Sequence, residues 1–230
     1  MFRLSRVPSI LALLLVSMEF LSAAPAATGN RVSSEPLPED GVTGTTPVGE
    51  GTVRLYIIDP RGEIEGLLLT DGTQLYVTSR AADQLRRAIK PGDRISIYGL
   101  REGHETRIRP DVIRNLSTGT TFIVPLRLDL PLQEQAHLSV TEMQATGQIQ
   151  VLLIHPSKDL VQGFILSDGT QIRLPLDIGD GLRSSFRPGD TLTVRGNGTE
   201  NEYGRSIEAT AMGRHPSQLT VLDASTQRLP

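Results

Sequence analysis

The stretch G-L-L-L-T-D-G-T-Q at residues 66–74 returns as G-F-I-L-S-D-G-T-Q at residues 163–171. Later landmarks keep the same displacement, since P-G-D at residues 91–93 matches residues 188–190. An offset of 97 residues that holds through turns, strands and a helix indicates the duplication of one folded unit. The chain therefore contains two domains of the same kind.

Glycine marks the turns of both copies. An Asp-Gly pair between two apolar runs is a strong hairpin signal, because glycine tolerates the positive φ that a two-residue type I′ turn requires. A Pro-Gly pair ends the helical stretch before the fourth strand. We assign these positions to turns: Asp71, Gly72, Gly92, Asp168, Gly169 and Gly189.

Period-two alternation predicts five strands in each copy. In the first strand we expect Val53, Leu55 and Ile57 to face the core and Tyr56 and Ile58 to face outward. The predicted strands are residues 52–59, 64–70, 73–78, 94–99 and 106–116, the last broken by a proline, and then 147–154, 160–167, 170–175, 191–196 and 205–212.

A short helix is predicted after the third strand of each copy. Ala81, Leu85 and Ile89 recur on one stripe, and Thr78 or Ser79 can cap the helix. The second copy places Ile178, Leu182 and Phe186 on the same stripe, although Gly179 and Gly181 weaken the helix.

Five strands with a helix between the third and fourth give the order of the OB barrel. The patterns G-x-x-L-x-D-G-T-Q and P-G-D-x-x-x-x-x-G resemble those of uncharacterised exported bacterial proteins with tandem OB-fold-like domains. The resemblance covers residues 51–116 and 147–215. It implies a mainly β fold of two tandem five-stranded OB-like barrels, each with one short helix between strands three and four.

The remaining segments frame these barrels. Arg3 and Arg6, an apolar run at residues 10–16 and small residues around Ala26 predict a signal peptide, residues 1–26, that is cut after Ala26. Glu19 within it leaves an uncleaved anchor as the alternative. We expect a disordered leader at 27–50, a proline-containing extended connector at 117–146 and a tail at 216–230. The predicted location is periplasmic or secreted.

Charge and cysteine content exclude several classes of function. Without residues 1–26 the chain has 21 basic and 25 acidic side chains, which does not favour a polyanionic partner. The chain has no cysteine, which excludes disulfides, thiolate zinc sites and thiol nucleophiles.

Catalytic motifs are missing from the sequence. The histidines at 104, 137, 155 and 215 lack the short spacings of a metal site, and no phosphate-binding or dinucleotide-binding glycine motif is present. Asp71 and Asp168 are explained by their turns. We predict no enzyme activity, no catalytic residue, no metal and no cofactor; a hydrolase using these two aspartates is the minority alternative.

The outward side of strands one to four is the predicted ligand face, because OB barrels bind ligands there. Tyrosines next to arginines can stack on bases or sugars and can pair with anions, although they are equally typical of ordinary solvated strands. The candidate residues are Tyr56, Gln74, Tyr76, Arg94, Tyr98, Gln171, Arg173 and Arg195.

These observations predict an exported, non-enzymatic binding or adaptor protein. Its expected partner is a protein or glycan that contacts the barrel faces and the hairpin loops at 100–105 and 197–203. The alternative is single-stranded nucleic-acid binding by the barrel faces, which net charge and export oppose.

Overall fold

Twelve β-strands and one α-helix make up the part of the chain that the computed structural model describes, namely residues 46–101, 106–125, 139–158, 160–175 and 185–222. No helix in this part is long and apolar enough to cross a membrane. The predicted signal peptide, residues 1–26, lies outside these ranges.

The first barrel closes in the order expected for an OB fold. Its elements are β1 (Gly49–Ile58), β2 (Ile64–Leu69), β3 (Gln74–Tyr76), a 3₁₀ turn (Ser79–Ala81), α1 (Ala82–Ala88), β4 (Arg94–Arg101) and β5 (Arg107–Asn115), followed by β6 (Thr121–Ile123) on the outer edge of β5. β1 pairs antiparallel with β2 and β4, and β5 pairs antiparallel with β4 and parallel with β3, while β2 joins β3.

The second barrel repeats this topology strand by strand. Its strands are β7 (Thr141–Ile154), β8 (Val161–Leu166), β9 (Gln171–Arg173), β10 (Thr191–Asn201), β11 (Gly204–Gly213) and β12 (Thr220–Val221). β7 pairs with β8 and β10, β8 with β9, β9 in parallel with β11, and β11 with β10. The predicted fold class, two tandem five-stranded barrels in a mainly β chain, is confirmed.

The helix is found in the first barrel. Ala81, Leu85 and Ile89 are fully buried, so the predicted stripe plugs the core. Thr78 precedes the 3₁₀ turn but makes no side-chain capping hydrogen bond. Among the described residues of the second barrel none is helical, and the predicted positions Ile178, Gly179, Gly181 and Leu182 lie outside the described ranges. Phe186, the last residue of that stripe, is buried in the second core.

A β-bulge reverses the predicted faces of β1. The pairing of β1 with β2 shifts between Val53 and Leu55, so the inward side changes from odd to even positions. Tyr56 and Ile58 therefore point into the barrel core, whereas Ile57 leaves it. The expectation that Ile57 faces the core and Tyr56 faces outward is wrong, because strict alternation ignores the extra residue.

The two Asp-Gly hairpins have three-residue loops rather than two-residue type I′ turns. The Gly72 amide donates to the Leu69 carbonyl oxygen at 3.1 Å, and the Leu69 amide donates to the Thr73 carbonyl oxygen at 2.8 Å. The Asp71 carboxylate accepts the Thr73 amide and hydroxyl at 2.9 and 3.0 Å, which widens the loop by one residue. Only glycine suits the last loop position readily, since Gly72 has a φ of 87°.

Several elements extend beyond their predicted ends. β1 begins at Gly49, and β7 begins at Thr141 because it pairs with the long β10. Pro110 lies within β5, opposite Gly99 at a register shift, and so does not end the strand. Residues 126–138 of the predicted connector lie outside the described ranges.

Candidate functional site: the inter-barrel interface and its cleft

The predicted ligand-face residues separate into two groups. Arg94 and Arg195 are exposed and Tyr98 is half-buried, all three on the outer surface. Tyr56, Gln74, Gln171 and Arg173 are at most 8% exposed, and Tyr76 is half-buried at the contact between the two barrels. Gln74, Tyr76, Gln171 and Arg173 point away from their own barrels, as expected, but the other barrel covers them.

Two glutamines bind each barrel to the first strand of the other. Gln171 Nε2 donates to the Tyr56 carbonyl oxygen at 2.7 Å, and its Oε1 accepts the Ile58 amide at 3.0 Å. Gln74 makes the same pair of bonds to β7: Nε2 donates to the Leu152 carbonyl oxygen at 2.8 Å, and Oε1 accepts the Ile154 amide at 3.0 Å. Each glutamine side chain thus donates to a backbone carbonyl group of the other barrel and accepts from a backbone amide there, as the backbone of a neighbouring β-strand would.

Apolar side chains fill the interface between these glutamines. A separate buried cluster consists of Ile57, Leu68, Leu153 and Ile165, two residues from each barrel at matching repeat positions. All four are fully buried. Leu67 and Leu69 face the first barrel core, so the consecutive leucines of β2 are covered on both sides. We call the surface that this cluster and the two glutamines form the inter-barrel interface.

Four polar side chains border the interface, and we call them the polar quartet: Glu65, Tyr76, Gln162 and Arg173. Arg173 Nη2 lies 2.5 Å from Glu65 Oε2 and 3.0 Å from the Ile58 carbonyl oxygen. In the exchanged arrangement, Gln162 Nε2 donates to the Tyr76 hydroxyl at 2.8 Å. The repeats therefore place a charged pair on one side and a neutral pair on the other.

Burial raises the pKa of two of these groups, Tyr76 and Glu65. Desolvation raises the pKa of Tyr76 to about 12, because the phenolate would lose its hydration. Burial also raises the pKa of Glu65 above its usual range, although Arg173 opposes the rise. Both groups are therefore harder to ionise in the interface than in water, and the ion pair with Arg173 partly offsets this for Glu65.

The β10–β11 hairpin, one of the predicted partner loops, contacts the first barrel. Asn201 Nδ2 donates to the Gly62 carbonyl oxygen at 3.0 Å, and the Tyr203 ring meets the Tyr56 ring edge-to-face at 5.8 Å. The other predicted loop, at 100–105, is described only at Leu100 and Arg101. The β10–β11 hairpin thus contributes to the contact between the barrels.

A cleft of about 1130 Å³ opens at one end of the interface, and we call it the inter-barrel cleft. The first barrel contributes most of its wall, and the β7–β8 turn and Gln162 of β8 contribute the rest. Its lining residues are Glu65, Tyr76, Val77, Thr78, Ser79, Arg80, Arg107, Arg109, Pro110, Asp111, Val124, Pro125, His155, Pro156, Ser157 and Gln162. The cleft is therefore a concave surface at the border of the inter-barrel interface, and many of its lining residues are polar.

The turn aspartates use their carboxylates locally. In the second copy, Asp168 accepts the Thr170 amide and hydroxyl, both at 2.9 Å, as Asp71 does in the first. Among the described residues no group of three histidine, cysteine or acidic side chains could hold a metal ion. His104 and His137 lie outside the described ranges.

Sequence reasoning missed the inter-barrel cleft and the exchanged glutamines. A signal was present in the repeat itself, because both copies place glutamine at the end of the D-G-T-Q motif. Three consecutive leucines also required a second covering surface. Nothing in the sequence places Arg107 next to His155, since the two residues lie on different barrels.

No family model matches the chain, and no curated protein matches it at a significant level. Among solved structures, the chain is similar to a deletion mutant of the single-stranded DNA binding protein from Thermus aquaticus, with 14% sequence identity and a TM-score of 0.24. The match covers 72% of this chain and 91% of that chain. The strand topology establishes the OB fold without this likeness.

Proposed function

We propose that this protein is an exported, non-enzymatic binding protein whose paired barrels engage a protein or glycan partner through their outer surface. The observation that carries the proposal is that the outward sides of β1–β3 and β7–β9 are packed against each other. An OB barrel that binds single strands uses this side to stack bases. Gln74, Tyr76, Gln171 and Arg173 are committed to the inter-barrel interface instead.

The outer face of β7 and β10 supports a partner that forms hydrogen bonds. Gln144 and Gln148 are exposed on β7, and Arg195 and Asn197 are exposed on β10, with Gln144 directly opposite Arg195. Glu142 lies opposite Asn197, so the face carries both signs of charge. We call these five residues the amide face. Side-chain amides suit hydroxyl groups and peptide groups, whereas a phosphate backbone requires an excess of cations.

Binding to immobilised protein tests this proposal. Residues 27–230 are incubated with an exported-protein fraction and with cell-wall glycans, and retention is compared with that of a Gln144→Ala/Arg195→Ala variant. Loss of retention in the variant supports the amide face. Arg94→Ala is the matched control, because Arg94 is an exposed arginine on the outer surface of the other barrel, paired with Glu50 at 3.3 Å.

Single-stranded nucleic-acid binding remains the alternative, and fluorescence anisotropy with a labelled oligonucleotide tests it. Polyanion binding weakens steeply with salt, because each neutralised phosphate releases counterions. Salt-sensitive binding that is lost on Arg195→Ala would overturn the protein or glycan proposal, as would retention of no partner at micromolar concentration. Arg173→Ala is unsuitable for this test, since Arg173 is buried in the interface.

A further inference from the structure

Arg107, the first residue of β5, is a buried cation without a counter-ion among the residues that the structure describes. Only 7% of it is exposed. Its Nη1 donates to the carbonyl oxygens of His155 at 2.9 Å and Lys158 at 3.1 Å, and its Nε has no hydrogen-bond partner in the described ranges. A buried guanidinium usually pairs with a carboxylate, because burying an uncompensated charge is costly. The surroundings of Arg107 therefore favour an added anion.

The second buried arginine of the interface shows the usual solution. Arg173 has Glu65 at 2.5 Å and also caps the Ile58 carbonyl oxygen. Arg173 thus has a carboxylate that balances its charge, and Arg107 has none among the described residues. Both side chains donate to carbonyl oxygens of the other barrel. Only Arg107 of these two lines the inter-barrel cleft.

Arginines outnumber carboxylates among the described residues that line the cleft. Arg80 and Arg109 line it together with Arg107, and the lining carboxylates are those of Asp111 and Glu65. The Glu65 carboxylate is held by Arg173.

His155 lies in the wall of the cleft, close to several cations. Burial and the nearby cations Lys158, Arg107 and Arg173 lower the pKa of His155, so the ring stays neutral at pH 7. A neutral imidazole adds a hydrogen-bonding group to the cleft without adding charge.

The size and the apolar part of the wall indicate more than an inorganic ion. Clefts that hold small organic ligands usually have about 300–1,000 Å³, and this one has about 1130 Å³. Val77, Val124, Pro125 and Pro156 supply apolar contact beside the arginines. A ligand that fits has an anionic head and an apolar body.

We propose that the inter-barrel cleft binds a small amphipathic organic anion, whose carboxylate or phosphate group pairs with the Arg107 guanidinium and whose apolar body contacts Val77 and Val124. Arg109, at the exposed rim, adds long-range attraction. None of the residues that line this site belongs to the amide face, so the two proposals are tested independently of each other.

Isothermal titration calorimetry on residues 27–230 tests the site with two probes, hexanoate and hexyl phosphate. Inorganic phosphate and hexanol serve as controls for the head group and the body. We expect at least one of the two probes to bind more tightly than either control. Tighter binding of hexanoate identifies a carboxylate ligand, and tighter binding of hexyl phosphate identifies a phosphate ester.

Two variants assign the binding to this cleft. Arg107→Gln is expected to weaken binding by about 10- to 100-fold, the usual effect of losing a charge-assisted hydrogen-bonding partner. Arg109→Gln, at an exposed position that tolerates change, is expected to weaken binding by about threefold, as expected for the loss of a rim charge. Arg114→Gln, at an exposed position of β5 that does not line the cleft, should leave binding unchanged.

A chemical-shift readout keeps the test decisive if Arg107→Gln folds poorly. In the wild-type protein, the bound probe should shift the His155 ring resonances, because His155 lines the same cleft. The proposal is overturned if neither probe binds folded wild-type protein at millimolar concentration, if inorganic phosphate or hexanol binds as tightly as both probes, or if folded Arg107→Gln binds as tightly as wild type. Binding that leaves the His155 resonances unshifted would also overturn it.

Discussion

Gln74 and Gln171 occupy the same position in the two repeats, and each forms two hydrogen bonds with the first strand of the opposite barrel. Both side chains are 1% exposed. The exchange makes each barrel part of the other's hydrogen-bonded structure. Four backbone groups of β1 and β7 depend on these two amides, and no water can replace them without opening the interface.

Gln74→Ala and Gln171→Ala should each destabilise the whole protein. Either change leaves one buried amide and one buried carbonyl group without a partner, at a cost of about 2 to 4 kcal/mol. Chemical denaturation measures the free energy of unfolding. Gln148→Ala is the matched control, since Gln148 is an exposed glutamine on β7, and it should change stability by less than about 0.5 kcal/mol. Equal effects at buried and exposed glutamines would contradict the interface.

A single barrel should not remain a folded monomer. Separated fragments 46–125 and 139–222 would each expose half of the buried cluster, for example Ile57 and Leu68 in the first. The first fragment carries both Gln74 and the strand position that receives a glutamine, so we expect it to self-associate. Analytical ultracentrifugation measures this. Monomeric fragments as stable as the intact chain would show that the barrels are independent.

Gly72→Val and Gly169→Val should each cost about 1 to 3 kcal/mol, because valine avoids the φ values of 87° and 89° at these positions. No atom lies within 4 Å of a Cβ added at Gly72, so backbone strain alone sets the cost. Thermal melts compare these variants with Asp71→Asn, which keeps an acceptor for the Thr73 amide and should be nearly silent. Harmless valine substitutions would disprove the loop conformation.

Stability should fall as the pH rises from 10 to 12. Burial raises the pKa of both Tyr56 and Tyr76 from 10.0 to about 12. Below pH 10 both phenols are neutral in the folded and unfolded states; above it the unfolded chain ionises first, which draws the equilibrium toward unfolding. The full shift corresponds to about 3 kcal/mol for each tyrosine.

Denaturation at several alkaline pH values, with tyrosinate absorbance recorded in parallel, measures this loss. Tyr56→Phe and Tyr76→Phe should each flatten the decline, since phenylalanine has no proton to lose. A decline of unchanged steepness in both variants would assign the alkaline transition to other groups.

The repeat and its turn residues were sufficient to predict both barrels, because backbone requirements are local. Alternation predicted the core strands, yet it placed Ile57 and Tyr56 on the wrong sides, since a bulge adds a residue that no local pattern reveals. The burial of several predicted ligand-face residues could not be foreseen, for a different reason. A polar residue pointing away from its barrel has the same sequence pattern whether it meets water or, like Gln171, another barrel. Arg107 could not be predicted to line a cleft, because its hydrogen-bond partners come from the β7–β8 turn, which is distant in sequence.

The exchanged contacts also bear on how such a chain arises. A lone ancestral barrel with the D-G-T-Q motif could form the same contacts with a second copy of itself, and joining two genes would fix that pair in one polypeptide. Fusion then lets the halves diverge. In the first barrel Arg107 of β5 lies opposite Gln74 of β3, whereas Ser206 of β11 lies opposite Gln171 of β9 in the second. Two identical subunits would have to carry the same residue at both places. A fused chain can acquire an asymmetric cavity while its other half continues to serve as scaffold.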